Sequence, residues 1–156
     1  MKKTLVFTMV FCCAFLALRG FAADADPEDV SVSLLREWAS EKYGCKIDND
    51  GDLVLNTKNG KMFVSVIGKA KTIRLFCLYS PYRKRSREEM IQLANKFNFE
   101  KRLLRVCISE KGNQILDYYI IYDGGLNSGN FLEALNWFTV LESAWNDYVV
   151  NGGNRD

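Results

Sequence analysis

The chain has 156 residues, with 21 lysines and arginines against 19 acids, and no histidine. A formal charge of +2 argues against capture of nucleic acid or anionic membrane by bulk electrostatics, and 48 % apolar residues suit one domain with a real core. Without imidazole there is no Ser-His-Asp or Cys-His pair, no zincin helix and no ordinary general base near neutral pH.

Residues 1–22 have the form of a signal peptide. Lys2 and Lys3 make a positive start, Thr4 to Leu18 is an almost unbroken apolar run, and Gly20-Phe21-Ala22 offers small residues at −3 and −1. The run is too short for a comfortable membrane-spanning helix, so an uncleaved anchor is the lesser alternative and no stable membrane insertion is expected after cleavage. The mature chain, 23–156, is expected to be a single exported domain, periplasmic or secreted. Cleavage removes Lys2, Lys3 and Arg19 and no acid, which leaves the mature chain near neutral. Cys12 and Cys13 leave with the leader; Cys12 follows Val10-Phe11, which is no lipobox. Cys45, Cys77 and Cys107 remain, an odd count with wide spacing and no Cys-x-x-Cys. That pattern is neither a disulfide scaffold nor a zinc or redox module, and the three are read as small buried apolar residues.

The first helix, about 28–43, is expected to start near Asp26-Pro27, with Ser31 or Ser33 as other starts, and to carry Val30, Leu34, Leu35 and Trp38 on its apolar stripe. Gly44 is its expected cap. The period then turns to alternation. Asn49-Asp50-Gly51 is a turn, Leu53–Leu55 a short strand, Lys58-Asn59-Gly60 a hairpin turn, and Met62–Ile67 and Thr72–Tyr79 complete an antiparallel meander. Asp48, Asp50 and Asp52 crowd oxygen ligands, but the EF-hand glycine and terminal glutamate positions hold Leu53 and Asn59, so a calcium site is rejected.

Arg83-Lys84-Arg85 and Arg87 form a basic run, read as a solvated loop rather than a phosphate grip. Ser86 and Glu89 make a capping box for a helix over 86–98, with Met90, Leu93, Ala94 and Phe97 on one face. Leu103–Ile108 and Ile115–Tyr122 form a second hairpin around Lys111-Gly112-Asn113. Asn130, with Glu133, is the expected start of the last helix, 130–149, which Gly152-Gly153 ends. Its apolar arc covers about 220°, wider than one core contact needs. Phe131, Ala134, Leu135, Phe138, Leu141, Trp145 and Val149 share one side. Trp137, Val140, Ala144 and Tyr148 continue it, and Trp137, Val140 and Tyr148 are the candidate interaction surface: expected to be partly exposed and to meet a partner or a second copy.

The chain resembles the YbjN-domain family of bacterial proteins, whose fold is similar to type III secretion chaperones. The resemblance rests on Asn49-Asp50-Gly51-Asp52-Leu53 entering the meander and on Glu89 with Leu93-Ala94-Asn95-Lys96-Phe97-Asn98 on the middle helix. The Val106 to Ile121 hairpin and the apolar Phe131 to Val149 helix complete it, over about residues 28–150. It implies an α+β fold with an antiparallel five-stranded sheet and three helices, in the order α-β-β-β-α-β-β-α, and a non-enzymatic interaction or regulatory role. No catalytic, cofactor or metal residues come with it. In such a sheet the 115–122 strand separates those of Cys77 and Cys107 by about 9–10 Å. A disulfide needs α-carbons within about 7 Å, so these two are expected to stay unbonded.

The leading reading is an exported interaction module that binds a protein or peptide, or a second copy of itself, through the sheet or the spare helix flank. A small envelope enzyme working with carboxylates and lysine is the alternative, although Asp117 and Asp123 show no evident partner. The third reading is a purely structural domain.

Overall fold

The computed structural model describes residues 24–153. The expected signal peptide, with Cys12 and Cys13, lies outside the described residues. Three α-helices and six strands follow one another: α1 (Val32–Ala39), β1 (Cys45–Ile47), β2 (Leu53–Thr57), β3 (Gly60–Ile67), β4 (Thr72–Tyr79), α2 (Arg87–Lys101), β5 (Arg105–Ile108), β6 (Gln114–Ile121) and α3 (Ser128–Val150). All strands pair antiparallel in the order β1-β2-β3-β4-β6-β5. The expected five strands become six because Cys45–Ile47 adds an edge strand, with Cys45 opposite Leu55 and Ile47 opposite Leu53.

Side-chain alternation sorts the sheet into two faces. Leu53, Leu55, Met62, Val64, Ile73, Leu75 and Leu116 are wholly buried on one face, and all three helices pack there. Trp145 is the central anchor. It is fully buried, its indole N–H donates to Gln114 Oε1 at 2.9 Å, and Phe97 meets it edge-on at 5.3 Å. Each such large side chain contributes on the order of 1.5–3 kcal/mol through removal from water.

Helix ends show where local and tertiary preferences agree. The capping box of α2 forms as expected: Glu89 N–H donates to Ser86 Oγ at 3.2 Å and Ser86 N–H to Glu89 Oε2 at 2.7 Å. Helix α1 starts after Ser31, one of the two later starts considered, and not at Asp26-Pro27. Val30 is already buried ahead of the helix, Ser31 is extended, and Ser31 Oγ accepts from Leu34 N–H. The cap of α3 is Asn127, not Asn130. Asn127 Oδ1 accepts the Asn130 N–H at 3.2 Å, and Asp24 accepts the Ser128 N–H at 2.8 Å and its hydroxyl. A carboxylate at a helix N-terminus is favoured by the dipole, and the Ser128 bonds hold Asp24 below the usual carboxylate range.

The basic run is only partly a solvated loop. Arg83 and Lys84 are exposed, but Arg85 Nε donates to Val149 O at 3.1 Å and Arg87 Nε to Ser109 O at 3.0 Å. Lys96 Nζ donates to Gly153 O at 2.9 Å, so two cations satisfy carbonyls at the end of α3. Gly153 itself has φ +75°, and a Cβ there would stand 3.0 Å from Leu93 Cδ2. Only glycine fits.

Candidate interaction surface

The second face of the sheet has no helix over it among the described residues. Asp117 sits in its middle on β6, opposite Phe76 of β4 and Arg105 of β5. Although it lies on this open face, its carboxylate is only 1 % exposed. Two arginines enclose it. Arg105 makes a fork, Nε to Oδ1 at 2.7 Å and Nη2 to Oδ2 at 2.6 Å, and Arg74 Nη2 reaches Oδ2 at 3.0 Å. Burial pushes the Asp117 carboxyl up, but the Arg105 and Arg74 bonds outweigh it and hold it below the usual carboxylate range. The same pairing raises the Arg105 guanidinium further above its ordinary value.

Rings hold the arginines flat. Arg74 lies 4.5 Å above the Phe76 ring, which stacks on Phe63 at 5.2 Å, and Arg105 lies 5.6 Å from the Tyr119 ring. Leu78, Tyr119 and Ile121 are 58 %, 43 % and 76 % exposed on the same face. The result is a band of aromatic and aliphatic side chains around an arginine–aspartate–arginine centre. A band of this composition can take up apolar side chains and carboxylates. The β5 edge is closed, because Asn98 accepts the Val106 N–H at 2.8 Å and donates to its carbonyl at 2.9 Å. Strand addition at that edge is blocked at its centre.

The sequence-based surface divides. Trp137 and Val140 are half exposed on the flank of α3. Tyr148 is buried, which corrects its assignment to the same surface. Helix α2 covers that half of α3: Phe97 meets the Tyr148 ring edge-on at 5.3 Å and its hydroxyl lies 3.5 Å from Glu100 Oε1. The cysteines divide as well. Cys77 is buried, Cys45 half-buried and Cys107 exposed on the open face, which corrects the reading of all three as buried. All three are free, and β6 lies between the strands of Cys77 and Cys107 as expected.

Glu142, which the helical reading passed over, is the other enclosed carboxylate. It is wholly buried under α3 and receives the Tyr79 hydroxyl, the Cys77 thiol at 3.2 Å and Asn59 Nδ2 at 3.3 Å. Burial, and then the Glu142 charge, push the Cys77 thiol up; burial and the Glu142 bond do the same to the Tyr79 phenol. A thiol kept protonated is the reverse of an activated nucleophile. Asp117 is saturated by arginines, Asp123 is an exposed turn residue, and Asp48 Oδ1 accepts the Asp50 and Asp52 N–H groups of its turn. None of these carboxylates is placed as a general base. Among the described residues no group of histidine, cysteine and acid side chains is arranged to hold a metal ion, and no helix is long and apolar enough to cross a membrane.

A family model for YbjN, whose description proposes a bacterial sensory transduction regulator, matches residues 31–144. The chain belongs to the YbjN family. Its fold is similar to that of YbjN from E. coli, with a TM-score of 0.64 at 10 % identity over 74 % of this chain and 88 % of that one. It is also similar to the HopA1–SchA chaperone–effector complex (0.56, 14 %, 74 % and 91 %) and to the ExsC–ExsE complex (0.55, 18 %, 74 % and 88 %). At these identities the likeness shows the fold, and the type III secretion chaperone-like α+β architecture stands. No curated protein matches the chain.

Proposed function

We propose that this chain is an exported, non-enzymatic interaction module that binds a protein or peptide through the open face of its sheet. The observation that carries the reading is the one-sided build. Three helices fill one face, while the other presents Phe63, Phe76, Leu78, Tyr119 and Ile121 around a paired aspartate. Exposed apolar bands rimmed by charge mark interaction sites. The solved structures of similar fold include a chaperone–effector complex, which supports a protein partner. The leader supports export, and the pairing of Asp117 and the raised Cys77 and Tyr79 support a role without chemistry. The test is site-specific photo-crosslinking from Leu78 and from the exposed Glu110 during expression in a host with an envelope. Adducts from Leu78 alone are expected. Adducts from neither position, or equally from both, would remove the open face as the site, and an intact mass retaining Met1 would remove export.

A further inference from the structure

The charges on the open face specify what it holds. Residues opposite one another across the strands share a face, so Lys46, Val54, Asn56 and Lys61 stand on the same side as Phe63, Arg74, Phe76 and Arg105. Lys46, Val54, Asn56 and Lys61 line one shallow depression together. Among the described residues, four cations on this face meet three carboxylates, Asp48, Asp52 and Asp117. All three are internally engaged: Asp48 Oδ1 accepts the Asp50 and Asp52 N–H groups, Ser65 Oγ donates to Asp52 Oδ1 at 2.5 Å, and Asp117 is enclosed by its arginines. Arg74 Nε is a buried donor without an acceptor among the described residues, and Arg105 keeps its side chain 58 % exposed. The face therefore offers partly exposed cations between apolar surfaces, on a chain that is near neutral as a whole.

We infer that the partner is an acidic, apolar peptide segment, with aspartates or glutamates and aliphatic or aromatic side chains mixed along the same side, laid across the open sheet face. This rests on the reading of that face as the binding site and adds the chemistry of its occupant. Carboxylates would meet Arg105, Arg74, Lys46 and Lys61, while the side chains between them settle on Phe63, Phe76, Leu78 and Ile121. A second copy would set cations against cations. The leader, with Lys2, Lys3 and Arg19 and no acid, has the wrong sign as well. Strand addition at the β5 edge, beside Arg105, is closed by Asn98.

Three fluorescent peptides of eight residues, the length of β4, test this: pairs of leucines alternating with pairs of glutamates, of glutamines or of lysines, so that each side of the extended peptide carries both kinds of side chain. Binding to the purified full chain is read by anisotropy at low and high salt. A few exposed charge pairs give the glutamate peptide roughly tenfold or more over the lysine peptide, an advantage that shrinks with salt. The exposed double variant Lys46→Gln/Lys61→Gln and, separately, Arg105→Gln are each expected to weaken the glutamate peptide several-fold, with folding checked by circular dichroism. Equal binding of all three peptides, abolished by Leu78→Glu, would overturn the acidic partner and leave the open-face site intact. Binding insensitive to Leu78→Glu, or no binding, would overturn both. A dimer that dissociates on Ile121→Glu, with no peptide bound, would assign the face to a second copy instead.

Discussion

Glu142 and Asp117 lie on opposite faces of one sheet, each shut away from water, and their surroundings differ in kind. Under the helices, Glu142 is held by neutral donors from β4 and the β2–β3 turn: a phenol, a thiol and an amide. On the open face, Asp117 is held by two guanidinium groups whose own side chains remain 29 % and 58 % exposed. A fully covered site has no water to solvate a cation, whereas an open face lets arginines shield a carboxylate and still meet solvent. The covered face thus serves stability, and the open face keeps charge and apolar surface available.

The largest effect expected from breaking this contrast is Trp145→Ala on the covered face, about 3–5 kcal/mol by urea unfolding, from lost burial and the residual cavity. Phe76→Ala on the open face should cost less, about 2 kcal/mol, since that ring is only partly buried and no helix closes over it. Equal costs would mean that something covers both faces. Glu142→Ala comes next, at about 3 kcal/mol, because it leaves the Tyr79 hydroxyl and the Cys77 thiol without their acceptor and opens a void. A neutral outcome would show that these donors find other partners.

Asp117→Asn is expected to cost about 2 kcal/mol at neutral pH, by loss of charge-assisted bonds. The pH dependence gives its signature. Because the folded carboxyl sits below its ordinary value of 3.8, its contribution is present at neutral pH, above the unfolded value. It is lost as pH falls through the lower folded value, where the folded state must also take up the proton. Unfolding of wild type and variant should therefore differ by a constant amount above about pH 5 and converge as acid is added. A gap that persists at low pH would place the cost in packing rather than charge.

Much of the architecture was legible from local signals. The Ser86–Glu89 box, the meander turns and the long last helix all follow from short-range chemistry that the fold leaves undisturbed. Strand β1 was not legible: Cys45-Lys46-Ile47 is too short to show alternation, and pairing with Leu53–Leu55 is what makes it a strand. The cap of α3 moved to Asn127 because Asp24, remote in sequence, reinforces that end. Asp117 looked unpartnered because its arginines arrive from other strands, through a register that no local pattern encodes. Glu142 did leave a signal. It lies four residues after Phe138 and three before Trp145, so a charged residue falls in the middle of the apolar arc, where only a paired carboxylate is tolerated.

The smallest effect expected is at Trp137, and it decides how far the contrast of two faces extends to the flank of α3. The ring is 49 % exposed, and its neighbour one turn on, Val140, is 50 % exposed. Tyr148, on the same side further along, is sealed by α2 through Phe97. The flank is therefore core where α2 crosses it and open where α2 does not reach. Trp137→Ala should cost about 1 kcal/mol or less in folding stability, in the range of half-exposed positions that leave no cavity. Tyr148→Ala at the sealed end should cost several times more, about 3 kcal/mol, as removal of a packed aromatic does. Sedimentation of the full chain over a range of concentrations supplies the second reading: Trp137→Ala should weaken any association of the chain by more than it lowers stability. If Trp137→Ala instead unfolds the domain to the same extent as Tyr148→Ala and leaves association unchanged, the whole flank is core, and the open sheet face is left as the surface available to a partner.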